Sequence, residues 1–242
     1  MKTLLTIVVC NEAGKEKALT LYDGIELIYP EENETEKDFL TRAFKTANGK
    51  YSLVCVNKFR FADVQSLLNI LDKNAADMVN FMGGSVLKTS TLKNVVKDCP
   101  DAFSACVLAI MESKAMLKTV YTPFIFEKGA VTFNDDNTEG MLLAASEFKK
   151  VKAKLSKEIY SYVFDLVCAR LVDFYLYAML AIKDGKFEAE KLVSFDNKLK
   201  AEIVLYLALD KRFTYGNLQK LRNKEFKISY FTAKKFRKQI KY

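Results

Sequence analysis

The residues with the clearest claim on chemistry lie at the end of one short apolar run. Tyr51-Ser52-Leu53-Val54-Cys55-Val56 is apolar and β-branched enough for a buried strand, and it passes into Asn57 and Lys58. In an open α/β sheet, ligands bind outside the carboxyl ends of such strands, so Val56, Asn57 and Lys58 stand where a ligand is met. Valine cannot ligate a metal. Lys58, with Arg60 two residues on, brings positive charge of the kind that holds phosphate directly, although the pair also reads as a solvated basic loop. Asn11 and Glu12 follow the first apolar run and read either as ligand contacts or as the start of a turn. Asn134-Asp135-Asp136-Asn137, with Glu139, offers several oxygen ligands. Its spacing does not match an EF-hand loop, and Asp/Asn clusters dominate ordinary turns, so a turn is expected there.

Composition removes several mechanisms. The 242 residues include no histidine and no tryptophan, which excludes Ser-His-Asp and Cys-His nucleophiles, histidine-ligated zinc and histidine general bases. Acid-base work falls to carboxylates, Lys, Tyr or Cys. Five cysteines without a Cys-x-x-Cys pair argue against a disulfide framework or a zinc site and suit a reducing cytoplasm. Cys55, Cys106 and Cys168 lie in apolar runs and are expected in the core. With half the residues apolar and 28% charged, the chain has an ordinary globular composition and can bury a substantial core.

Two apolar stretches need separate treatment. Met1-Lys2 and the run to Cys10 have the outline of a signal peptide, but the run is short, lacks a small-residue cleavage site and enters Asn11-Glu12 directly. A first buried strand is expected. The stretch 160–182 carries Asp165, Arg170 and Asp173, which points to a buried or amphipathic helix and not to a membrane span.

The elements that must position these residues alternate in the first half. Strands are expected at 4–10, 25–29, 51–56, 78–81 and 119–126, and helices at 34–46, 63–74 and 101–116. Asn33 is an acceptable N-cap for the first helix, and Gly49 is expected to supply a left-handed turn that stops it. Val64, Leu67, Leu68 and Leu71 recur on one face of the second helix. This alternation implies α/β architecture with a largely parallel sheet. From Gly140 onward the pattern is helical, with helices expected at 140–155, 157–183, 187–210, 214–223 and 230–241. The chain therefore reads as an α/β domain over 1–135 and a helical region over 136–242.

The order of these pieces resembles the family 2 inverting glycosyltransferases, which have the GT-A nucleotide-sugar fold. The resemblance rests on the strand running to Asn11-Glu12, on Ala47-Asn48-Gly49-Lys50-Tyr51 before the third strand, and on Ala76-Asp77-Met78-Val79. It also uses Asp101-Ala102-Phe103 opening a helix, and Tyr121-Thr122-Pro123-Phe124 with Phe126 beyond; it covers roughly residues 3–126. It implies a GT-A-like, mostly parallel sheet with helices on both faces, followed by an all-helical region. It also implies inverting transfer from a nucleotide sugar in bacterial cell-surface glycan assembly.

The departures fall at the donor site. Where the family has Asp-x-Asp holding a divalent cation, this chain has Val56 and Lys58, and the family's Asp-Asp-Gly-Ser stretch has no counterpart. Between Asn11 and Gly49 the chain is shorter by about one strand-helix unit. The resemblance thus implies activity that is weak, metal-independent or lost, with no metal and no resident cofactor. Asn11, Glu12, Asn57, Lys58 and Arg60 become the candidate nucleotide-sugar contacts. Asp101 becomes the candidate base, its other reading being a simple helix start after Pro100.

Residues 211–242 hold eleven Lys/Arg and one Glu, so the whole net charge of +8 comes from this segment, the remainder being slightly acidic. Interleaved aromatics offer it to an anionic membrane surface, to an acidic face of a partner protein or a second copy, or, more weakly, to RNA. A solvated helix pair packing its aromatics inward is the plainer reading. The alternative to an enzyme is accordingly a non-catalytic scaffold that binds through its helical region. Either form is expected in the cytoplasm, peripheral to the inner face of the membrane.

Overall fold

The computed structural model describes residues 3–10, 22–56, 59–82, 84–126, 135–185 and 187–240. The chain divides into two compact units, Met1–Ala130 and Val131–Tyr242. The first is α/β with a mostly parallel sheet and the second is helical.

In the first unit, β1 (Leu5–Val9) and β2 (Ile25–Ile28) pair in parallel, and helix α1 (Glu36–Thr46) leads to β3 (Tyr51–Cys55), which pairs in parallel on the other side of β1. Next come β4 (Phe59–Phe61), α2 (Val64–Lys73), β5 (Met78–Phe81), β6 (Gly84–Lys88) and α3 (Thr89–Val95). A 3-10 turn, α4 (Ala102–Glu112), β7 (Met116–Lys118) and β8 (Phe124–Phe126) complete the unit. The six-stranded sheet has the order β2-β1-β3-β6-β5-β7. Only β6 runs against the rest, antiparallel to both β3 and β5. β4 and β8 form a separate antiparallel ribbon.

All five residues of β1 are buried, as a strand covered on both faces requires. Leu5, Ile7 and Val9 share one face with Tyr51, Leu53 and Cys55, and α2 covers it with Val64, Leu67, Leu68 and Leu71. The opposite face, carrying Thr6 and Ser52, meets α1, α3 and α4; the Ser52 hydroxyl is 2.7 Å from that of Thr89 on α3. The N-caps follow from short polar side chains. Asp63 Oδ1 accepts the Ser66 amide at 3.1 Å, and the Thr35 hydroxyl accepts that of Asp38 at 3.2 Å. The cap of α1 is therefore Thr35 and not Asn33, which sits at φ 62 in the turn before it.

Gly49 corrects a second expectation. It is not among the residues with positive φ, and α1 ends at Ala47 in extended backbone. The glycine is required by a close approach instead: a Cβ there would lie 2.5 Å from the Thr6 amide nitrogen. Four elements escape the sequence pattern: β4, β6, α3 and β7, whose Met116 is expected at the end of a helix. β6 pairs antiparallel with β5, Phe81 opposite Gly84, and of the span 119–126 only β8 is a strand.

The second unit holds α5 (Asp135–Val151), α6 (Lys157–Lys183), α7 (Ala189–Leu199), α8 (Ile203–Arg212), α9 (Leu218–Arg222) and α10 (Tyr230–Ile240). Asp135 to Thr138 belong to the start of α5, so the expected turn is replaced by a helix, and Asn137 is buried. The single helix expected over 187–210 breaks between Leu199 and Ile203. The break lets Tyr206 on α8 turn back to Asp196 on α7, at 3.2 Å. Asp196 also accepts the Tyr175 hydroxyl of α6 at 2.5 Å and Arg222 Nε of α9 at 2.9 Å. Arg222 Nη1 reaches Asp210 at 2.7 Å, and its guanidinium lies 3.7 Å from the centre of the Tyr206 ring. Burial pushes the Tyr175 and Tyr206 hydroxyls up, Tyr206 to about 12, and the Asp196 charge adds to both. No helix among the described residues is long and apolar enough to cross a membrane.

Three substitutions check this account by urea unfolding of the full chain. Gly49→Ala is expected to cost about 3 kcal/mol by overpacking against Thr6, whereas Gly185→Ala, at φ 70 with open space around it, costs about 1 kcal/mol from backbone strain. Arg222→Ala, which leaves Asp196 buried without its cation, should cost about 3–5 kcal/mol. Equal costs for the two glycines, or a neutral Arg222→Ala, would contradict the contacts described.

Candidate functional site

The strand order places a switch point between β1 and β3, since the chain leaves β1 for β2 on one side and returns to β3 on the other. The pairing extends past the strands, with the Cys10 amide donating to the Cys55 carbonyl at 2.8 Å. The carboxyl edge there consists of Cys10 and Val56, the valine 44% exposed.

Two helices aim their N-termini at this edge, and both carry acids. Glu36 opens α1, and its Oε1 accepts the Ala102 amide of α4 at 2.8 Å. Asp101 is the N-cap of α4; its Oδ1 accepts the Ser104 amide at 2.9 Å and the Ser104 hydroxyl at 2.6 Å. Two carboxylates thus meet the positive end of one helix and satisfy amides that have no partner within it. Asp101 is only 2% exposed. The Cys10 thiol is pushed well up by burial and by the nearby Glu36 carboxylate, with Cys106, Cys55 and Asp101 adding to the effect. Burial also lifts Cys106, to about 12, so neither thiol is a nucleophile at neutral pH.

The ribbon borders the same edge. Arg60 lies on β4 opposite Ile125 of β8 and is exposed, so it belongs to a strand and not to a loop. The Ala62 amide donates to the Pro123 carbonyl at 2.8 Å, and the Tyr121 hydroxyl to the Asp63 carbonyl at 3.1 Å. Between ribbon and sheet, Phe61, Phe81, Tyr121 and Phe124 stack edge-on or tilted, with ring centres 5.9–6.4 Å apart. Aromatic packing therefore covers the end of β5.

Of the residues singled out from sequence, Asp101 is at the switch point and Arg60 is on the neighbouring ribbon. Asn11, Glu12, Asn57 and Lys58 lie outside the described residues. Glu36, Cys10 and Cys106 complete the cluster and were not identified as site residues from the sequence. The available signal was the acid in the first turn of α1, which reads as ordinary dipole compensation.

Neither a protein-family model nor a curated protein sequence matches the chain. Among solved structures, the crystal structure of S. aureus TarS 1-349 aligns with 96% of this chain and 88% of its own, at 11% identity and a TM-score of 0.48.

Among the described residues, no three His, Cys, Asp or Glu side chains are grouped to hold a metal ion. Val56 offers no ligand atom, and Glu36 and Asp101 each give an oxygen to α4 amides.

If Asp101 serves as a cap, Asp101→Ala should lower stability by about 1–2 kcal/mol while Asp101→Asn stays within about 0.5 kcal/mol, because asparagine caps as well as aspartate. Urea titration of both variants reads this directly. Equal losses for Asn and Ala would mean that the carboxylate charge, which both remove, and not the cap, holds the site together.

Proposed function

We propose that the protein is a glycosyltransferase-like protein of bacterial cell-surface glycan assembly. In this reading it handles a nucleotide sugar at the carboxyl edge of β1 and β3 without an Asp-x-Asp-bound metal. One observation carries the reading. Asp101, which the sequence resemblance makes the acceptor base, lies near enough to Cys10, at the end of the first strand, for its charge to act on that thiol, although ninety-one positions separate them in the chain. Sugar transfer needs such a carboxylate at that edge, to take the proton of an acceptor hydroxyl as the bond to the sugar forms. The order of the parallel strands, which puts the switch point at that place, is consistent with it. The diphosphate would then be met by lysine and arginine side chains following β3, Lys58 and Arg60, in place of a cation.

Thermal unfolding with UDP- and GDP-sugars, with and without manganese, tests the proposal. A ligand at about ten times its dissociation constant adds about 1.4 kcal/mol, or about 3–6 °C in Tm for a chain of this size. The expected result is a shift of that order with one sugar nucleotide, unchanged by manganese. Asp101→Asn should keep the shift and lose transfer. The absence of a shift with every nucleotide sugar at millimolar concentration would overturn the reading.

A further inference from the structure

The basic segment 211–242 is sorted by the fold into two populations. Its arginines are all paired: Arg222, which is buried, with Asp196 and Asp210, and the exposed Arg212 and Arg237 with Asp165 at 2.6 Å and with Asp184. Most of its aromatics turn inward. Phe213, Phe226 and Phe236 are buried, and Tyr215 stacks edge-on to Phe213 and Phe236.

Exposed lysines remain along the whole segment, but on one helix face unpaired lysines stand beside exposed aromatic rings. α10 packs through Ala233 and Phe236, each 1% exposed. At 3.6 residues per turn, Phe231, Lys234, Lys235 and Lys238 project from the opposite side, with Tyr230 on its flank. Tyr230 is 61% and Phe231 81% exposed, and the three lysines are exposed and make no ion pair among the described residues. The helix is pinned at its start by Ser229, whose hydroxyl accepts the Thr232 amide at 3.3 Å, so the face is preformed.

We infer that this face of α10 docks the protein on an anionic phospholipid bilayer. Aromatic rings at one end of the helix suit the headgroup region, and lysine stems reach past them to lipid phosphates. The charge is complementary, because all of the chain's excess positive charge lies in this segment and its exposed arginines are already paired, leaving lysines as the exposed cations without an ion pair among the described residues. Nucleic acid is the less suitable occupant. The arginine forks that grip phosphates in pairs are already committed to aspartates. The same unit also exposes aliphatic side chains on α8, namely Ile203, Val204 and Leu207, which a nucleic acid has no means of using. The inference stands apart from the sugar-transfer reading and needs no activity.

Sedimentation of the full chain with phosphatidylcholine vesicles, with or without phosphatidylglycerol, tests it. The wild type should bind the anionic vesicles only, and salt should release it. Replacing Lys234, Lys235 and Lys238 together with Gln should weaken binding about 100-fold, at about fivefold per lysine. Phe231→Ser should weaken it about tenfold and leave the salt response in place. A control triple, Lys211→Gln, Lys220→Gln and Lys224→Gln, removes equal charge from outside this face and should have a clearly smaller effect. All these positions are exposed, so unfolding temperatures should be unchanged, which separates lost docking from lost folding. Failure of the wild type to sediment, equal losses in the two triples, or displacement from vesicles by single-stranded RNA would each overturn the inference.

Discussion

The α/β unit depends on a single carboxylate bridge. Glu26 on β2 accepts the Thr6 hydroxyl of β1 at 2.7 Å, and the amide and side-chain nitrogens of Asn48 at 2.9 Å each. The Thr6 hydroxyl in turn accepts the Gly49 amide at 2.8 Å. Three parallel strands are thereby held in one register, in a place where a slip of one residue would exchange the two faces of β1. Partial burial alone would raise the Glu26 pKa, but the hydrogen bonds from Asn48 and Thr6 outweigh it and leave the carboxyl below its usual value. The bridge therefore contributes fully when Glu26 is ionised, and its contribution fades as pH falls through that lowered pKa.

The same junction explains why Ala47 to Tyr51 looks like a motif. Each residue has a structural task. Ala47 is buried, Asn48 holds Glu26, and Gly49 leaves room for the Thr6 backbone. Lys50 Nζ reaches the carbonyls of Leu71, Asp72 and Asn74 at the end of α2, and the Tyr51 hydroxyl reaches those of Asn74 and Ala76. Carbonyls orphaned at a helix end are satisfied from the next layer of the sheet. A pattern of this type reports the fold and says nothing of the reaction, which is why the chemistry had to be sought at the strand ends.

Periodicity made the strongly patterned elements legible. The Leu/Val face of α2, the buried run of β1 and the helical second unit follow from spacing alone. Elements held by partners distant in sequence were not legible. β4 exists because Pro123 to Phe126 return to pair with it, and α8 separates from α7 because Asp196 collects hydroxyls and a guanidinium from three other helices. The candidate site was half legible. Asp101 announced itself as an acid after proline, but Glu36 reaches α4 across sixty-six positions of sequence.

That pairing constrains any anionic substrate. A free helix N-terminus is a natural place for phosphate, and here the chain supplies its own carboxylates to the α4 terminus. Phosphate brought close to Glu36 and Asp101 would meet like charge, with no cation-binding group among the described residues to offset it. A nucleotide sugar bound as proposed would therefore have its diphosphate toward the residues after β3, and the sugar and acceptor toward α4. The acids at α4 would then face a developing proton transfer and not a phosphate. On this arrangement Val56 and Lys58 after β3 and the double capping of α4 would belong together, since without a metal the phosphates would have to be kept away from the carboxylates at α4.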